Sequence, residues 1–159
     1  MSEIARLLEA NAAHGADVDP STKAPVRHVA VLTCMDCRVD PLATFGLQLG
    51  DAHVLRNAGG RVTDDVLRSL ALSAHALGVT TVVVMQHTTC GLSSGTEDEL
   101  RAQTGADLTF LAIADHAEAV RADVDLLTAQ PYLSPITEVL GVVYDVATGR
   151  VDEIVRLAR

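Results

Sequence analysis

Apolar residues change their spacing from one stretch of this chain to the next, and the changes predict its elements. Ile4, Leu7, Leu8 and Ala12 fall at helical spacing and predict a short amphipathic helix at the start. Residues 15–26 carry Gly15, Pro20 and Pro25 and read as a connection, so residues 1–26 form a helical arm with its linker. "HVAVLT" (28–33) and "TTVVVMQ" (80–86) are apolar at successive positions, as strands buried on both faces of a parallel sheet must be. "AHVLR" (52–56) reads as a further strand, and "TDDVLRSLALSAHALG" (63–78) as a helix with Thr63 as its N-cap. Helical patterns follow around 96–103 and, longer, near 110–129, before Pro131 and Pro135 break them. "TEVLGVVYDVATGRVDEIV" closes the chain as two β-runs joined at Thr148-Gly149, a terminal hairpin. Strands alternating with helices predict an α/β fold: a central, mostly parallel sheet flanked by helices. No repeat, low-complexity tract or boundary divides it, so residues 1–159 read as a single domain.

Composition narrows the picture. The chain has two Phe, two Tyr and no Trp, so Ala, Val, Leu and Ile must build its core. A formal charge of −9 argues against nucleic acid as a partner. It leaves room for a small local anion site, since Arg38, Arg56 and Arg61 lie close in sequence to the candidate chemistry. No apolar run reaches the length of a membrane span, and the first residues lack the basic start and apolar stretch of a secretory signal. Three cysteines without an export signal point to a reducing cytoplasm and to thiolates rather than disulfides.

Candidate chemistry gathers where the strands end. Sites in open parallel sheets form outside the carboxyl ends of the strands. Cys34 follows the first strand, "NAGG" (57–60) the second, and His87, Thr88, Thr89, Cys90 and Gly91 the third. Cys34 and Cys37 form a C-x-x-C, which after a strand fits a redox pair. Cys34, Cys37, His87 and Cys90 would make a closed structural zinc site. Cys34, His87 and Cys90 alone would leave the fourth zinc position for water or for Asp36. The plainest alternative makes the cysteines small buried hydrophobes and His87 a satisfied polar residue. Asp36 and Arg38 favour the open site. A carboxylate beside an acidified water can take its proton or hydrogen bond, and an arginine keeps that carboxylate ionised and oriented.

With "CMDCR" (34–38), "HVLRNAGG" (53–60) and "HTTCG" (87–91) in that order, the chain resembles the β-class carbonic anhydrases, densely over residues 28–91. The resemblance implies zinc held by Cys34, His87 and Cys90, with Asp36 and Arg38 as the catalytic dyad and Asp36 a fourth ligand in a closed form. It implies a pocket lined by Asn57, Ala58 and Gly59, with the Gly91 N–H near the substrate. His53 would join that wall, where larger relatives carry Phe. The implied reaction is reversible hydration of carbon dioxide to bicarbonate and a proton by zinc-bound hydroxide, in a homodimer or homotetramer. With two thiolates neutralising the metal, activity should favour alkaline pH. Cys37 departs from the family's usual Ser or Ala. The short chain is like the small bacterial branch, which also resembles carbonyl sulfide hydrolases.

Overall fold

In the computed structural model, which describes residues 1–15 and 23–158, five strands form one sheet in the order β2-β1-β3-β4-β5. These are β1 (Val29–Cys34), β2 (Ala52–Asn57), β3 (Thr81–His87), β4 (Glu138–Asp145) and β5 (Arg150–Ala158). The first four run parallel, and β5 returns antiparallel to β4 through a turn where Gly149 takes φ +72°. The central strands β1 and β3 are buried almost throughout, whereas β2 and β5 at the edges alternate or face outward. Continuous apolar runs therefore mark the middle of the sheet, where both faces are covered.

Helices α3 (Asp64–Leu77) and α5 (His116–Thr128) cover one face, with Leu70, Ala74, Val120, Val124 and Leu127 packed on Ala30, Leu32, Val82, Val84 and Val139. Burial of such aliphatic side chains contributes roughly 1.5–3 kcal/mol each. The opposite face (Val31, Val83, Met85 and Val142) is covered by Val39, Leu47 and the short helix α2 (Pro41–Phe45) with its Leu42 and Phe45. Thr63 caps α3, and Thr96 with Glu99 forms a capping box on α4 (Glu97–Thr104).

One expectation needs correction, and one element was missed. The helical pattern near 110–129 forms a helix only from His116 onward. The Glu97 carboxylate accepts the N–H groups of Phe110 and Ala112, Leu111 takes φ +59°, and Asp115 caps the helix that follows. Those three features hold 110–115 out of a helix despite its apolar character. Helix α2 was not foreseen at all. The first helix, α1 (Glu3–Ala12), forms as the spacing predicts, but it buries no residue: Ile4, Leu7 and Leu8 remain 62–71% exposed. Residues 16–22 of the linker lie outside the described residues.

The connection from β1 leads to β2 on one side, while the chain after β3 leads to β4 on the other. Strands β1 and β3 thus flank the topological switch point, where crossovers diverge and leave a crevice at the carboxyl ends.

Candidate metal centre

Cys34 ends β1, His87 ends β3, and Cys90 follows three residues after His87. All three are buried, and one ligand atom from each lies within 4.8 Å of the others. The two sulfurs stand 3.9 Å apart. His87 Nδ1 donates to the Thr88 carbonyl at 2.9 Å, which fixes the tautomer and turns Nε2 toward the sulfurs. That Nε2 has no hydrogen-bond partner although it is fully buried. A buried nitrogen without a partner is costly, and a cation among two thiols would satisfy it. Two sulfurs and one imidazole suit zinc.

Electrostatics point the same way. The hydrogen bond from Cys90 is the largest influence pulling Cys34 down to about 4, against burial, with His87, the backbone near Asp36 and the Gly59 N–H assisting. Cys90 is pushed upward by that same shared bond and by burial. The neighbouring Cys34 sulfur raises His87. The pocket thus stabilises negative sulfur before any cation is considered.

Glycines let the backbone approach this closely. Gly59 (φ +76°) sends its N–H to Cys34 Sγ at 3.3 Å, and a Cβ there would meet Leu92 at 2.6 Å. A Cβ on Gly60 (φ +65°) would meet the backbone of Met85 and Thr33 at 2.9 Å. Neither position tolerates a side chain.

Asp36 stands at the mouth. Its carboxylate accepts Arg38 Nε at 2.9 Å, Nη2 at 2.7 Å and the Arg38 backbone N–H at 2.9 Å. The Arg38 side chain accordingly holds the Asp36 carboxyl well below the usual carboxylate range. One Asp36 oxygen lies 3.8 Å from His87 Nε2, so the dyad borders the cluster. The carboxylate is turned to Arg38 rather than gathered among the three donors.

The structure gathers most of the residues singled out from the sequence, but not all. Cys37 is exposed and outside the cluster, so neither the four-ligand site nor a Cys34–Cys37 pair is assembled. All three cysteines are free thiols. Asn57 is adjacent to Cys34, yet its side chain is bonded to the backbone of Arg61 and staples the turn; its carbonyl accepts the Met35 N–H. Ala58 follows it at the rim of a cavity of about 450 Å³ bounded also by Arg56, Arg61 and Phe110. Gly91 follows Cys90 directly, with open space where a side chain would stand. His53 is a correction: it lies near the start of β2, its ring bonded to Ser73 and to the Lys23 carbonyl, and within this chain it does not line the site.

Of the three arginines near the candidate chemistry, Arg38 pairs with Asp36 and the other two are also engaged within the chain. Arg56 donates to the carbonyls of Cys34 and Asp36 and clamps the loop after β1. Arg61 turns inward to Asp123 and the Leu111 carbonyl. Sequence reasoning missed the buried chain behind the site, in which Gln86 donates to Asp123 and His116 Nδ1 meets Gln86 Oε1. Its only signal was a glutamine inside an otherwise apolar strand.

Fold and site together define a buried cluster of two cysteines and a histidine, able to hold a metal ion, at the switch point of a parallel sheet. A family profile described as carbonic anhydrase matches residues 29–128. β-Carbonic anhydrase 1 of Mycobacterium tuberculosis is 38% identical over 141 residues, 85% of this chain and 86% of that protein. The crystal structure of a carbonic anhydrase from Streptococcus mutans superposes with a TM-score of 0.85 at 42% identity, covering 98% of this chain and 99% of that one. Carbon disulfide hydrolase of Acidianus is 46% identical over a shorter stretch of 74 residues, 46% of this chain and 36% of that protein. The chain belongs to the β-carbonic anhydrase family. Among the described residues, no helix is long and apolar enough to cross a membrane.

Proposed function

We propose that this enzyme catalyses the reversible hydration of carbon dioxide to bicarbonate and a proton, with zinc held by Cys34, His87 and Cys90. The observation that carries this reading is the buried, unpartnered His87 Nε2 beside two sulfurs, bordered by an ionised carboxylate. Zinc supplies a Lewis acid that makes water nucleophilic near neutral pH. The chain's own residues do the rest. Asp36, kept ionised by Arg38, accepts a hydrogen bond from the attacking water and orients it. Arg56 holds the loop that carries Asp36, and the Gly59 N–H bears on the Cys34 sulfur and moderates its charge.

Stopped-flow hydration of carbon dioxide by the zinc-loaded protein, with elemental analysis, tests this. Wild type should carry one zinc per chain and be active, more so at alkaline pH. Ala at Cys34, His87 or Cys90 should lose most of both. Full zinc in all three variants would overturn the ligand assignment. The likeness to carbon disulfide hydrolases supports a second reading, hydrolysis of carbonyl sulfide on the same centre. Parallel assays of the two substrates decide between them.

The exposed stripe Ile4, Leu7 and Leu8 on α1 supports burial against a second copy of the chain. Light scattering should give at least a dimer, and a 16.7 kDa particle at micromolar concentration would contradict it. Three free cysteines support action in a reducing cytoplasm.

A further inference from the structure

Between His87 and Cys90 the chain has two residues in which to turn both donors onto one centre. Thr88 continues the sheet, donating its N–H to the Tyr144 carbonyl, and its hydroxyl accepts the Val146 N–H. The turn falls on Thr89, at φ +56°. A β-branched residue is poorly suited to that left-handed conformation, and a glycine would adopt it freely. What threonine adds is its hydroxyl. Thr89 Oγ1 accepts Arg38 Nη1 at 3.2 Å, and the Thr89 carbonyl accepts Arg38 Nη2 at the same distance.

Arg38 is therefore held along two edges. One edge meets the Asp36 carboxylate, and the other meets the loop between two metal-site residues. The Arg38 side chain is 48% exposed, and an exposed ion pair with no other support is loosely ordered. The contacts with Thr89 supply that support from a segment 51 residues away in sequence. We propose that Thr89 is a positioning residue: its hydroxyl fixes the plane of the Arg38 guanidinium, and through it the orientation of Asp36. A backbone strain accepted at Thr89 is thereby converted into order at the dyad. This inference rests on the reading of Asp36 and Arg38 as the catalytic pair.

The test uses the zinc-loaded enzyme with Thr89→Val, Thr89→Ser and Thr89→Gly, each checked for zinc content. Val keeps the shape and branching but removes the acceptor. Ser keeps the acceptor and drops the branch. Gly removes the acceptor and the strain together. Thr89→Val and Thr89→Gly should each lower kcat/KM roughly tenfold, the scale of one lost hydrogen bond to a charged group. Thr89→Ser should restore most of it. Thr89→Gly should melt no lower than wild type, so that stability and activity move apart. NMR of the Arg38 Nε–H should show faster hydrogen exchange in the Val and Gly variants than in wild type or the Ser variant. Wild-type kcat/KM and exchange in Thr89→Val would overturn the proposal. So would a loss in all three variants that follows their melting temperatures, the mark of a merely structural residue. Arg38→Ala with wild-type activity would instead remove the dyad reading beneath it.

Discussion

Two aspartate–arginine pairs serve this site, with the same closest contact and opposite consequences. Asp36–Arg38 and Asp123–Arg61 both close to 2.7 Å. The first sits at the mouth, its arginine half exposed. The second is buried, with 11% and 4% of its side chains exposed. Arg38 holds the Asp36 carboxyl well below its ordinary range, whereas burial pushes Asp123 upward in spite of Arg61. Contact distance is thus a poor guide to what an ion pair does; the surrounding solvent decides. The exposed pair adds little to stability and borders the three buried donors. The buried pair ties α5 to the turn after β2 and, through Gln86, to the strand that ends in His87.

Removing one member of each pair tests that contrast most severely. Asp123→Ala leaves the Arg61 guanidinium buried without its partner and should destabilise the fold by about 3–5 kcal/mol in urea titrations. Asp36→Ala should barely move the urea midpoint. Equal losses in the two variants would break the comparison.

Activity should rank the pairs the other way. With zinc retained, Asp36→Asn should lower kcat/KM roughly a hundredfold, as expected for a group that exchanges or orients a proton. Asp123→Asn keeps the shape of the buried carboxylate and should stay within about threefold of wild type, because the partners of Asp123 are Arg61 and Gln86 and none of the three buried donors. A hundredfold loss from Asp123→Asn would show that the buried chain through Gln86 acts on the chemistry itself.

A smaller effect should appear in how stability depends on pH. The folded-state pKa of Asp123 is raised, so the native protein holds this proton more tightly than the unfolded chain does, where the value is about 3.9. Its contribution to stability is therefore fully present below about pH 3.9 and is lost as pH rises through the folded value. Asp123→Asn should remove that decline. Unfolding free energies of the two proteins from pH 3 to 7 should converge or separate on this side only, and parallel curves would contradict the burial argument.

These two pairs also show what the sequence discloses. Asp36 and Arg38 are two residues apart, beside Cys34, and local spacing alone made them candidates. Arg61 finds Asp123 across 62 residues, and nothing in either segment announces the partner. The same limit explains the misread 110–115 stretch, where a distant Glu97 carboxylate captures backbone N–H groups that an isolated segment would have given to a helix. Strands β1 and β3 were legible because burial on both faces demands unbroken apolar runs. Helix α2 hid in five residues, although Asp40 as N-cap, Pro41 at its first turn and Gly46 at its end are ordinary signals. His53 was misplaced because position along β2, rather than residue type, decides whether a side chain reaches the carboxyl edge.

Cys37 gives the smallest expected effect and the sharpest limit on the exposed pair. It lies between Asp36 and Arg38 in sequence, and its exposed side chain is not among the three buried donors. Bringing its sulfur onto a metal would rotate the short loop that now sets three Asp36–Arg38 hydrogen bonds at 2.7–2.9 Å. A site can use Cys37 as a ligand or keep the dyad in this geometry, but these bonds leave no room for both. Cys37→Ser should therefore retain one zinc per chain and keep kcat/KM within about twofold, since an exposed side chain with no partner at the site is replaced by one of similar size. X-ray absorption at the zinc edge should count two sulfur ligands before and after the substitution. Three sulfurs in the wild type, falling to two in the variant, would mean that the loop rearranges around the metal and that the Asp36–Arg38 pair is not the working form of the mouth.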